Sequence, residues 1–83
     1  MIEVRTIKRG REWNGEIFNG DNILAAERYG LVHARAWAMG ARAALAGEKR
    51  KSPYKNGWSL AHRGFSNVWR DGYDAAMKLK VTP

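Results

Sequence analysis

The chain has 83 residues, with 15 Lys and Arg against 8 Asp and Glu, a formal net charge of +7 and no cysteine. That length makes one domain burying about 60–65% of its unfolded surface, so the four Trp, three Tyr and two Phe must supply much of the core. Disulfides and thiolate metal sites are excluded, and no run reaches the roughly 18–20 apolar residues that span a bilayer.

Residues 1–20 read as an N-terminal arm or a short β-hairpin. Ile2 and Val4 alternate with Glu3 and Arg5, and Asn14-Gly15 and Asn19-Gly20 are turn signals, so strands over roughly 2–7 and 12–18 are expected. The start, Met1-Ile2-Glu3-Val4-Arg5, has no apolar run behind a basic end, which argues against a signal peptide. With no cysteine, the expectation is a cytoplasmic protein that does not engage membranes.

From residue 21 to 83 the pattern predicts a helical hairpin domain. Asp21 reads as an N-cap, and no proline interrupts residues 22–46. Ile23, Gly30, Ala34, Trp37, Ala41 and Ala44 recur at helical spacing, with Leu31, Ala38 and Leu45 beside them. Gly30 marks a bend, and Gly47 a C-terminal stop. Residues 48–57 form a basic loop around Pro53-Tyr54. A second helix follows over 66–80, or from as early as Trp58. Its N-cap is Ser66, and its apolar stripe is Val68, Gly72, Ala75, Ala76 and Leu79 flanked by Trp69 and Tyr73. Gly40 and Gly72 facing bulky aromatics imply very close helix packing. The expected fold is mainly α: two packed helices joined by a basic Pro-Tyr loop, plus the arm or hairpin, in one compact domain.

Nine of the 15 basic residues are Arg, which suits bidentate phosphate contact and base stacking. Arg28, Arg35 and Arg42 are spaced by seven and would line one helix face, as a row following a phosphate backbone or as a solvated face paired with acids such as Glu27. Lys49, Arg50, Lys51 and Lys55 surround Tyr54, which could stack on a base or cap the core. His62 and Arg63 read as further RNA-facing or surface residues. Arg5, Lys8, Arg9 and Arg11 form a second basic cluster in the arm. Trp13, Trp37 and Trp69 read as core, and Trp58 as the more exposed indole.

The chain resembles the ribosome modulation factor family of bacteria, with its phage and prophage relatives. The resemblance covers roughly residues 36–77. It rests on Gly40-Ala41-Arg42-Ala43-Ala44-Leu45-Ala46-Gly47, on Pro53-Tyr54, and on Trp69-Arg70-Asp71-Gly72-Tyr73-Asp74-Ala75-Ala76-Met77. Ser52 stands where the family usually has Cys. The resemblance implies a helical hairpin that binds ribosomal RNA and represses translation in the manner of ribosome hibernation.

Nothing in the pattern supports an enzyme. His33 and His62 lack a nucleophile or carboxylate at a telling spacing, and there is no His-x-x-x-His pair, glycine-rich phosphate loop or serine elbow. No cofactor or metal is expected. Two readings remain: a ribosome- or rRNA-binding translational repressor, or a phage- or prophage-encoded protein that inhibits an acidic host protein through its basic face. A DNA-binding regulator is a third, disfavoured because the Gly47–Pro53 loop is too long for a helix-turn-helix.

Overall fold

A computed structural model describes residues 2–54 and 60–81, with side chains described for 2–54 and 64–79. Three strands, β1 (Ile2–Arg9), β2 (Glu12–Asn19) and β3 (Asn22–Tyr29), precede two helices, α1 (Leu31–Leu45) and α2 (Leu60–Val81). The strands form one antiparallel meander in the order β1-β2-β3. The fold is therefore α+β, which corrects the mainly α expectation.

The correction falls on residues 22–29. They form the third strand, pairing from Trp13↔Tyr29 to Asn19↔Asn22, rather than the first turns of a long helix. Leu24, Ala25, Ala26, Glu27 and Arg28 all favour helix in isolation, but the weak propensities of eight residues yield to pairing with a central strand. Asp21 occupies a hairpin turn, not an N-cap. The two loops are Gly10-Arg11 and Gly20-Asp21, with φ of +66° and +64° at the glycines and no positive φ at any described non-glycine residue. Glycine first in a two-residue loop is the type II′ arrangement, whose twist matches the flanking strands. Gly30, read as a bend, is where sheet gives way to helix: its extended backbone precedes α1, and its carbonyl accepts from Ala34 N–H at 3.0 Å. A bulge between Ile17 and Phe18 pairs Ile17 with Ala25 and Phe18 with Ile23, leaving Leu24 as the extra residue.

Asn14-Gly15, expected as a turn, lies inside β2. A Cβ at Gly15 would sit 2.5 Å from the Trp37 ring, so this glycine lets the indole lie directly on the sheet. Trp37 is only 1% exposed and is the hub of the core, with Ile17, Ala41, Ala44, Trp69, Tyr73 and Ala76 around it. One face of α1 covers the sheet, and another packs α2. The seam between the helices is set by Gly40 and Gly72. A Cβ at Gly40 would overlap the Trp69 carbonyl and lie 2.8 Å from its carbon; one at Gly72 would overlap the Trp37 carbonyl and lie 2.7 Å from its carbon. Backbone therefore meets backbone on both sides.

The end of α1 is a Schellman motif, as Gly47 signalled: Gly47 N–H donates to Ala44 O at 3.1 Å and Glu48 N–H to Ala43 O at 2.9 Å. Tyr73 Oη donates to the Glu48 carbonyl, tying α2 to this turn. Helix α2 begins at Leu60, so Ser66 is not a cap. It is fully buried, donates to Tyr54 O at 3.4 Å and accepts from Arg70 Nη2 at 3.2 Å.

Candidate nucleic-acid interface

The exposed arc of α1 follows from the helical period. Ala34, Trp37, Ala38, Ala41 and Ala44 are buried toward the sheet and α2, which turns Val32, Arg35, Met39, Arg42 and Ala46 to solvent. Val32 and Met39 are 55% and 44% exposed, so this surface is apolar as well as basic. Two grooves flank it. Thr6, Trp13 and Leu31 join Arg35, Met39 and Arg42 in the groove toward the sheet. Ala43, Ala46, Glu48, Lys51, Pro53 and Trp69 join Met39 and Arg42 in the groove toward the interhelical loop. Lys8 pairs with Trp13 in the β1–β2 register, which sets a further cation beside the first groove.

The charges on this surface are largely uncommitted. Among the described residues, the side chains of Lys8, Arg35, Lys49 and Lys51 have no hydrogen bond or ion pair. Arg42 donates from Nη2 to the Val4 carbonyl at 3.0 Å, a neutral contact that fixes the guanidinium and leaves its charge unmatched. Glu48 is the carboxylate that lines the loop-side groove.

The opposite face of the sheet, which no helix covers, is arranged differently. Arg9 holds Glu16 in a bidentate pair at 2.9 and 3.0 Å, and Asn14 Nδ2 donates to the same carboxylate at 2.9 Å. Glu16 is thereby 1% exposed on an otherwise open face, and the Arg9 hydrogen bond holds its carboxyl below the ordinary value against the opposing effect of burial. Arg5 pairs with Glu3 at 2.7 Å and lies 5.2 Å from the centre of the Phe18 ring. Arg28 approaches Glu12 at 3.6 Å.

The candidate residues therefore separate. Arg28, expected on a helix with Arg35 and Arg42, sits on β3 and faces the other way with its carboxylate partner; the heptad row does not exist. Arg35 and Arg42 do share a face. Arg50 is committed to Asp74 by two bonds of 2.8 Å, which hold the Asp74 carboxyl below its ordinary range. Of the arm cluster, Arg5 and Arg9 are paired, while Lys8 and Arg11 are exposed. Tyr54 is half-buried, its ring 5.5 Å from Phe65 and its hydroxyl 3.7 Å from Met39 Sδ, which favours packing over stacking on a ligand. Lys55 and Trp58 lie outside the described residues, and so do the side chains of His62 and Arg63 within α2.

The flank between β3 and α2 is more acidic, with Glu27, Asp71, Asp74 and Lys78 lining the cleft at Tyr29. Burial, then Glu27 and Asp71, pushes the Tyr29 hydroxyl up to about 12.

Trp13 is the site residue that the sequence pattern assigns to the core. It is half-buried and lines the sheet-side groove. Its place near the start of β2, on the face shared with Gly15 and Ile17 and beside Leu31 at the start of α1, is set by the register and carries no local signal. Among the described residues there is no group of His, Asp or Glu able to hold a metal, and no helix is long and apolar enough to cross a membrane. No protein-family model, curated protein or solved structure matches the chain.

Proposed function

We propose that this protein is a small RNA-binding factor that represses translation by occupying an RNA site on the ribosome. The observation that carries this reading is the unmatched positive surface of α1, Arg35 and Arg42 with Lys8 and Lys51 beside the grooves that flank them, on a molecule whose other described arginines are mostly paired with carboxylates. Unpaired guanidinium and ammonium groups beside exposed apolar side chains suit a polyanion with stacking bases better than they suit bulk water. The residues that resemble the ribosome modulation factor family, roughly 36–77, fall within the span of the helical hairpin, and the sheet adds Trp13 and Lys8 to the surface that the hairpin presents. Occupying an RNA site requires no catalytic group.

Ribosome co-sedimentation in a low-salt gradient tests the reading. The wild type should migrate with ribosomal particles and slow translation in a cell-free system. Combined Arg35→Ala and Arg42→Ala should lower the bound fraction tenfold or more, since removing each phosphate contact weakens binding and flattens its salt dependence. A wild type that stays at the top of the gradient removes the proposal. Recovery of one stoichiometric acidic protein without RNA would replace it with inhibition of a host protein.

A further inference from the structure

We propose that the groove between Trp13 and α1 takes an unpaired nucleobase, with the indole stacked on the base and Arg35 and Arg42 on the phosphates to either side. This rests on the RNA-binding reading and adds the form of RNA recognised: a single strand, loop or bulge rather than a duplex.

The first support is the state of Trp13 itself. Among the described residues, other aromatic rings have a partner: Tyr29 with His33, His33 with Phe65, Tyr54 with Phe65, Trp69 with Tyr73, and Phe18 with the Arg5 guanidinium. Trp37 is enclosed by the backbone at Gly72 and the sheet at Gly15. Trp13 has neither a ring partner nor a hydrogen bond for its indole N–H among the described residues. A large amphipathic side chain left half-buried, with its donor unused, is poorly accounted for by core packing.

The second support is the lining. The groove is a shallow, open depression of about 420 Å³, which would leave one face of a seated base toward solvent. Leu31, Met39 and Thr6 supply apolar walls, and no carboxylate lines it. Arg35 and Arg42 are seven residues apart, about 10 Å along α1, so they can hold successive phosphates while the base between them turns inward. The Val4 carbonyl fixes the Arg42 fork in advance, leaving its other N–H groups to donate outward. Duplex RNA keeps its bases stacked and paired, so it can use the arginines but not the indole.

The test compares a short oligouridylate with a duplex RNA of equal length by fluorescence anisotropy. Wild type should favour the single strand. Trp13→Leu should lose roughly tenfold for the single strand, the scale of one stacked base, and keep its duplex affinity; Trp13→Phe should retain most of the preference. Single-strand binding should also quench wild-type tryptophan emission, and that quench should be absent in Trp13→Phe. A Trp13→Leu protein with unchanged circular dichroism and unchanged single-strand affinity overturns the inference while leaving the RNA-binding reading intact. If Trp13→Leu does not fold, a quench that persists in Trp13→Phe overturns it instead. Duplex binding abolished by the Arg35→Ala, Arg42→Ala pair but indifferent to Trp13 is the expected signature of phosphate contact alone. A wild type that binds neither RNA overturns both.

Discussion

The open face of the sheet and the outer face of α1 are both rich in arginine, yet their arginines are in opposite electrostatic states. On the sheet, Arg5, Arg9 and Arg28 each meet a glutamate, and one of those carboxylates is buried beneath its partner. On α1, Arg35 and Arg42 meet no carboxylate among the described residues. A net charge of +7 is thus a poor guide to where an anion would bind. The cations of the sheet are matched by neighbouring carboxylates, of which only Glu16 is buried, whereas those of the helix have no such partner among the described residues. Local pairing separates arginines whose charge is matched from those whose charge is not.

Both faces depend on the seam between α1 and α2, and breaking it has the largest expected effect. Gly40→Leu would drive a side chain into the Trp69 backbone, which cannot yield as a side-chain tip can. The expected cost is about 3 kcal/mol or more, the upper end of overpacking, against a total of about 5–10 kcal/mol for a small domain. Thermal denaturation should show a severely lowered midpoint or no cooperative transition. An unchanged midpoint would mean that the close approach does not exist.

Next in size is Arg9→Ala, which removes both the ion partner and the cover of Glu16 and leaves Asn14 and water to bond the carboxylate. The urea-unfolding midpoint should fall by less than for Gly40→Leu, because water can solvate the uncovered carboxylate, with RNA affinity per folded molecule unchanged. The same pair gives a pH signature. The folded Glu16 carboxyl lies below its ordinary 4.5, so its stabilisation is complete above that value and is lost as pH falls through the depressed folded value. Wild type should therefore weaken in acid more than Glu16→Gln, whose unfolding free energy lacks this contribution. Equal acid sensitivity would show that Glu16 is not held by Arg9.

The helical half was legible because its signals are local or periodic. The row Ala34, Trp37, Ala41 and Ala44, the stop at Gly47, and the Gly40 and Gly72 contacts all follow from spacing along one chain. The sheet was less legible because its decisive facts are pairings. Residues 22–29 carry strong helix formers, and only their register with β2 makes them a strand. Asn14-Gly15 looks like a hairpin turn, but the glycine accommodates the indole of Trp37, from a helix that follows the third strand in sequence. The site shared that fate. Arg35 and Arg42 were visible by their spacing, whereas excluding Arg28 and recruiting Trp13 both required the third strand.

The smallest expected effect is also the sharpest test of the contrast between faces. Arg28 and Glu12 are 3.6 Å apart, and both side chains are more than half exposed, at 70% and 56%. Pairs of this kind contribute little, so Arg28→Ala should change stability by less than about 0.5 kcal/mol. It should also leave the slope of log affinity against log salt where it was. Arg42→Ala removes a contact to the Val4 carbonyl, at a cost of about 1 kcal/mol, and should reduce that slope by about one. Measured side by side at several salt concentrations, the two variants remove the same formal charge. Simple attraction between a basic protein and RNA predicts equal effects. Recognition by the α1 face predicts weaker binding for the Arg42 variant and almost no change for the Arg28 variant, because the Arg28 charge is already matched and directed to the other side of the sheet. Equal slopes would mean that pairing in the free protein does not decide which arginines meet the ligand, and the sheet face would then belong to the interface.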